Sequence, residues 1–219
     1  MVENISGREH ILFDFDGTIA DTSEGIYKGF DYVKNELGGK NVPRSEYYRM
    51  IGPPLTYSFK EIFCFPDDKI EEAMKAYRAY YEAHGLYECH IYEEMKELFE
   101  ALYNANKKLY VATSKPEIFA KRLLAHFGIE NYFTDCAGSD MAEKKASKSE
   151  IIARLLAKHS ITPSNAIMVG DRMYDVEGAK KVGLDCIGVL FGFGNEEELI
   201  NAGAVAIAKT PSEIAEKII

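Results

Sequence analysis

The sequence predicts an α/β protein: a parallel sheet covered by helices on both faces, with a helical domain inserted after the first strand. Two observations lead there. Short apolar runs end abruptly at acids or glycine, as in His10-Ile11-Leu12-Phe13 before Asp14 and Ala166-Ile167-Met168-Val169 before Gly170, which is how buried parallel strands read. From about residue 92 onward such runs alternate with amphipathic segments through short connections, and that repetition builds a parallel sheet.

The first strand is the run that delivers Asp14. Beyond it, Asp21-Thr22-Ser23 offers helix N-cap candidates, and Ile26, Phe30, Val33 and Leu37 follow at helical spacing until Gly38-Gly39 ends the run. Ile70, Ala73, Met74, Tyr77 and Tyr81 mark a second amphipathic helix, opened by Pro66-Asp67-Asp68. Residues 20–88, rich in tyrosine and phenylalanine and without a convincing strand, therefore form a helical insert, leaving 1–19 and 89–219 as the core domain. The core then continues with a helix near 92–106, strand 108–113, helix 116–127, a strand near 132–137 and helix 147–159. Strand 166–170, helix 174–182, strand 185–190, helix 195–202, strand 204–208 and helix 211–218 complete it. Ser114-Lys115-Pro116-Glu117 combines a capping box with proline at the first helical position, and Ser147-x-x-Glu150 is a second capping box.

A chain of 219 residues buries enough surface to fold without crosslinks. Cys64, Cys89, Cys136 and Cys186 form no short-spaced pair, so zinc-knuckle and thioredoxin-type motifs are excluded and reduced thiols are expected. The formal charge of −9 speaks against a non-specific nucleic-acid grip, which relies on lysine and arginine to release counterions. The polar start, Met1 to Arg8, precedes an apolar run too short for a signal peptide, and no stretch approaches a membrane span. A cytoplasmic location with no membrane and no nucleic-acid partner is the expectation.

Asp14 and Asp16 lie two residues apart before Gly17; in a strand, such residues share a face. Two acids that close repel, and a divalent cation relieves this while making one a nucleophile and leaving the other free for proton transfer. A second acidic cluster, Asp171 and Asp175, follows the strand ending at Gly170, at the sheet edge where open α/β folds bind ligands. Between the two clusters stand Val111-Ala112-Thr113-Ser114-Lys115, a strand ending in two hydroxyls and a cation, and Lys148 at a helix start.

These four segments resemble the four motifs of the haloacid dehalogenase-like hydrolase superfamily, nearest its phosphoglycolate phosphatase-like branch, over nearly the whole chain from Asp14 to Asp175. The resemblance implies a Rossmann-like core with a helical cap domain at 20–88. It also implies a magnesium-dependent phosphatase that hydrolyses a small phosphomonoester through an aspartyl-phosphate. Asp14 would be the nucleophile and Asp16 the acid and base. The metal set would be Asp14, the backbone carbonyl of Asp16, and Asp171, with Asp175 binding a metal water or orienting a lysine. Hard oxygens without histidine or cysteine suit magnesium rather than zinc.

A phosphate dianion beside these acids calls for a lysine, which by family position is Lys148, with Lys144 and Lys145 as neighbouring rivals. Thr113 would hold a phosphoryl oxygen, with Ser114 beside it and Lys115 touching substrate or solvent. Gly17 and Thr18 would bring the backbone close to the phosphoryl group. In the insert, Ile51-Gly52-Pro53-Pro54-Leu55 resembles a cap-loop segment, and Arg49 is either a cleft residue or a surface cation. The partner would be a small phosphorylated metabolite, taken by a monomer or homodimer. Phosphoglycolate, a sugar phosphate, a nucleotide and pyrophosphate are all open. A dehalogenase lacks the second acid, and a phosphonate-cleaving relative replaces it. A phosphomutase of the β-phosphoglucomutase type keeps every motif and is the alternative.

Overall fold

The structure, a computed structural model, describes residues 5–140 and 147–219; Lys144 and Lys145 lie outside the described residues. The chain divides into two compact units, Met1–Ala20 with Ile91–Ile219, and Asp21–His90.

In chain order the strands are β1 His10–Phe13, β2 Ala20–Asp21, β3 His90–Ile91, β4 Lys108–Pro116, β5 Phe133–Ser139, β6 Ala166–Gly170, β7 Asp185–Val189 and β8 Ala206–Ala208. The α-helices are α1 Ser23–Leu37, α2 Leu55–Tyr57, α3 Ile70–Tyr80, α4 Met95–Asn104, α5 Glu117–Phe127, α6 Lys148–Lys158, α7 Met173–Lys181, α8 Glu196–Ala202 and α9 Pro211–Ile218. Six strands form one sheet in the order β5-β4-β1-β6-β7-β8, and β2 pairs with β3. Every pairing in the large sheet is parallel.

The strands alternate their side chains between two buried faces. Leu12, Tyr110, Ala112 and Met168 pack with Ile151, Ile152 and Leu155 of α6 and with Val176 and Ala179 of α7. Phe13 points the other way and meets the rings of Phe99 from α4 and Phe133, edge to face. Covering both faces removes the period-two polarity of a solvated sheet, so the strands read as unbroken apolar runs. β1 lies between β4 and β6. From it the chain winds to one side, through β4 and β5, and then crosses to the other, through β6, β7 and β8, so the carboxyl end of β1 is a topological switch point.

The register brings the functional segments level. Phe13 pairs with Val111 on one side and Val169 on the other, so Asp14, Thr113 and Asp171 all follow within two residues of one sheet level. The Asp14 amide donates to Val169 O at 2.9 Å, fixing this edge.

The Asp21–His90 unit has its own core of rings. Phe30 of α1 contacts the rings of Tyr47, Phe59, Phe63 and Tyr77. α1 ends at Gly38, whose φ of 77° is the left-handed conformation that glycine adopts without strain. Its start differs from the expected cap: Thr22 sits at the N-cap but makes no side-chain cap hydrogen bond to the helix, and Asp21 Oδ1 accepts from the Ser23 amide at 2.8 Å instead. The stretch between the two expected helices contains 3-10 turns at Arg44–Met50 and Asp67–Lys69 and a π turn at Ser58–Ile62, which simple helical periodicity does not signal.

Two further expectations are corrected. β4 does not stop at 113 but runs to Pro116, which occupies the N-cap of α5 with no side-chain cap bond; proline thus precedes the first helical residue and Ser114 caps nothing. β1 ends at Phe13, so Asp14 and Asp16 follow the strand rather than lie within it.

Candidate active site

Lys148 organises the carboxyl edge of the sheet. The capping box of Ser147 and Glu150 is present and starts α6 at Lys148, which fixes the origin of a long side chain. Its stem passes Gly178 of α7, where an added Cβ would lie 2.7 Å from Lys148 Cγ, so α7 has glycine where the stem needs room. The ammonium then lies 2.8 Å from Asp14 Oδ1 and 2.7 Å from Asp175 Oδ1, and donates to Ala112 O at 3.0 Å. All three of these charged residues are buried.

Asp171 is fully buried beside them. Its Oδ2 accepts the Phe193 amide at 2.8 Å and its Oδ1 accepts the Thr18 hydroxyl at 3.2 Å. Asp175, in the first turn of α7, accepts the Arg172 amide through Oδ2 at 3.1 Å, so the two oxygens of Asp175 are divided between helix capping and Lys148. Carboxylate oxygens of Asp14, Asp171 and Asp175 lie within 4.8 Å of one another.

The crowding shows in the proton affinities. Burial, then the charge of Asp175, pushes the Asp14 carboxyl up to about 6 against the opposing pull of Lys148. Burial and the charges of Asp175 and Asp14 raise Asp171 well above the usual carboxylate range. Burial would lower the Lys148 ammonium, but its two carboxylates outweigh that and hold it raised. One ammonium does not balance three buried acids. Asp14 Oδ1 and Asp175 Oδ1 accept no well-directed hydrogen bond beyond their ionic contact with Lys148. Excess negative charge and a purely carboxylate donor set together fit a hard divalent cation such as magnesium, which would keep coordination positions for water and an anionic ligand.

Asp16 pairs with a different cation. Its Oδ1 lies 2.8 Å from the Nζ of Lys115, which is buried and stands 5.9 Å over the Phe15 ring. Lys115 is therefore not a solvated cation. Thr113 is buried and its hydroxyl accepts the Lys115 amide at 3.2 Å, whereas Ser114 is exposed. The donors expected from the Gly17-Thr18 turn are spent locally: Gly17 N–H on Ala20 O, Thr18 N–H on Phe15 O, and the Thr18 hydroxyl on Asp171. Arg49 belongs to the Asp21–His90 unit, where it is exposed and paired with Glu46 at 3.0 Å.

Sequence reading missed the segment after β7. Gly192 and Gly194 carry the chain past Asp171 so closely that an added Cβ would fall 2.5 Å from Asp171 Cβ or 1.9 Å from Asp171 O. Gly17, with φ +85°, approaches the same carboxylate, where a Cβ would meet Oδ2 at 2.2 Å. The available signal was Gly192-Phe193-Gly194 after an apolar strand, a pattern of close backbone approach.

Comparison with known proteins points the same way. Residues 11–189 match the family described as haloacid dehalogenase-like hydrolase. A 5'-nucleotidase of Pseudomonas aeruginosa is 38% identical over 190 residues, covering 87% of this chain and 86% of that protein. A phosphoglycolate phosphatase of Vibrio parahaemolyticus is 26% identical over 216 residues, covering 95% of each. The solved structure of Mycobacterium tuberculosis Protein Tyrosine Kinase A superimposes with a TM-score of 0.84 at 33% identity, covering 96% of this chain and 97% of that one.

Asp14, with its carboxyl near 6 against an ordinary 3.8, binds its proton more tightly when folded than unfolded. The stability this gives is complete below about pH 4 and is lost as pH rises through 6. Asp14→Asn mimics the protonated acid. In thermal melts with EDTA, the gain of this variant over the unsubstituted protein should be larger at pH 7.5 than at pH 5, by about 1.4 kcal/mol. An equal difference at both pH values would remove the excess-charge description of the site.

Proposed function

We propose a specific chemistry for a chain that belongs to the haloacid dehalogenase-like hydrolase family and is a phosphatase: magnesium-dependent hydrolysis of a small phosphomonoester through an aspartyl-phosphate on Asp14. The observation that carries this reading is the meeting of Asp14, Asp171, Asp175 and Lys148 at the switch point, while Asp16 pairs with Lys115. The two acids pair with different lysines, Asp14 with Lys148 and Asp16 with Lys115, which suits the separate roles of nucleophile and proton carrier.

Magnesium, held by Asp14, the backbone carbonyl of Asp16, and Asp171, would neutralise charge on the phosphoryl oxygens. In this reading Asp14 attacks phosphorus and the phosphorus–oxygen ester bond breaks, giving an acyl phosphate that divides one difficult displacement into two easier ones. Asp16 protonates the departing oxygen and then takes the proton of the attacking water. Lys148 keeps Asp14 oriented and adds positive charge beside the transferring group. Thr113 and Ser114 seat the phosphoryl oxygens at the end of the strand, and Asp175 orients Lys148. The Asp21–His90 unit is assigned in this reading as the helical cap domain. Four free thiols and the absence, among the described residues, of a helix long and apolar enough to cross a membrane support a cytoplasmic setting.

The relatives differ in what they are named for, so the leaving group is set by experiment. A panel of nucleoside monophosphates, 2-phosphoglycolate, hexose phosphates and pyrophosphate should give magnesium-dependent release of free phosphate. Release should vanish in EDTA and fall more than about 10³-fold in Asp14→Asn. Hexose phosphate isomerisation without phosphate release would instead establish the phosphomutase alternative, and transfer to a tyrosyl peptide would establish a kinase-like acceptor. Phosphate release that survives exhaustive EDTA would overturn the metal assignment.

Asp16→Ala should cost roughly 10²-fold or more with an alkyl phosphate and far less with p-nitrophenyl phosphate, whose phenolate departs without protonation. Equal losses with both substrates would exclude Asp16 as the acid.

A further inference from the structure

The residues after β7 do more than pass Asp171. The loop from Leu190 to Asn195 presents the Phe193 amide to Asp171 Oδ2 at 2.8 Å, and Asn195 then caps α8 by accepting the Glu198 amide through its side chain at 2.9 Å. That cap places Glu198 in the first turn of α8. From there its Oε1 accepts two bonds from the chain following Asp171: Arg172 Nε at 2.8 Å and the Met173 backbone amide at 2.8 Å. Its side chain is 18% exposed and that of Arg172 10%, so salt screens this ion pair less than a surface pair. Asp171 is thus fixed on both sides, its carboxylate by Thr18 and Phe193 and its backbone by the grip of Glu198 on the next two residues.

A carboxylate ligand binds a cation well only when its approach is set before the ion arrives, and the partners that orient ligands typically contribute 10–100-fold to affinity. Asp171 has little other freedom, because Gly17, Gly192 and Gly194 wall it with backbone. The remaining latitude is the pitch of the Asp171-Arg172-Met173 turn, which Asp175 holds from inside α7 through the Arg172 amide and Glu198 holds from α8. We propose that Glu198 is a positioning residue for the cation site: it touches neither cation nor substrate, and it holds Asp171 at the angle from which it ligates magnesium. The inference rests on the metal assignment made above.

The test measures magnesium affinity apart from turnover. Titration calorimetry with magnesium chloride, and the electron paramagnetic resonance of manganese as a reporter of the same site, would be run on the unsubstituted protein, Glu198→Ala and Glu198→Gln. The magnesium dependence of kcat on p-nitrophenyl phosphate would be followed in parallel. Glu198→Ala should weaken magnesium binding about tenfold while kcat at saturating magnesium stays within about threefold. Glu198→Gln keeps the shape and an acceptor oxygen but lacks the charge, and should weaken binding two- to fivefold. If Glu198→Ala does not fold, the glutamine variant decides. Unchanged magnesium affinity in every folded variant would overturn the positioning role and leave the metal assignment standing. An unsubstituted protein that neither binds magnesium nor needs it would instead overturn the metal assignment, and this inference with it.

Discussion

The structure turns on one buried ammonium set among too many carboxylates. Lys148 meets Asp14 and Asp175 at 2.8 and 2.7 Å, with Asp171 completing the acidic group. A buried ion pair of this kind contributes little to stability once desolvation is counted. Here the balance is worse than for a simple pair, since the acids outnumber the base and two of them are pushed toward the protonated form. Such an arrangement stores charge imbalance at a point that a cation and an anionic ligand together can relieve. Perturbed groups of this kind concentrate at functional sites.

The rest of the core domain holds that cluster in place. β1, β4 and β6 run parallel side by side, so their carboxyl ends deliver Asp14, Thr113 and Asp171 to one edge. α6 begins with a capping box at the residue whose side chain must reach that edge. α7 gives Gly178 to the lysine stem and Asp175 to its ammonium. The Leu190–Asn195 loop closes behind Asp171 with glycines that alone fit the spacing. Each of these elements is separately ordinary; the site depends on their register.

Much of this is legible in the sequence because parallel strands buried on both faces produce unbroken apolar runs, and the acids stand where those runs stop. The capping box at Ser147 places Lys148 in the first turn of α6 for the same kind of reason, a local rule that tertiary structure does not override, whereas its choice over Lys144 and Lys145 came from the family resemblance. The capping pattern at Ser114 was misleading: strand pairing with β5 continues to Pro116, which is matched with Ser139, so a proline that suits a helix start also suits a strand end. The pairing of Asp16 and Asp14 with different lysines was not legible either. It arises from the turn at Gly17 and from Lys115 folding back over Phe15, contacts between residues 99 positions apart. The Phe193 amide left no side-chain signature at all, because a backbone donor can be supplied by any residue except proline.

The convergence of acids from both ends of the core on one hard cation is tested most directly by a crystal structure of the protein with magnesium and beryllium fluoride, a stand-in for the phosphoryl group. The expected result is magnesium ligated by Asp14, the Asp16 carbonyl and Asp171, fluoride contacts from Thr113 and Lys148, and beryllium bonded to an Asp14 oxygen. Magnesium bound elsewhere, or beryllium fluoride on a side chain other than Asp14, would contradict it.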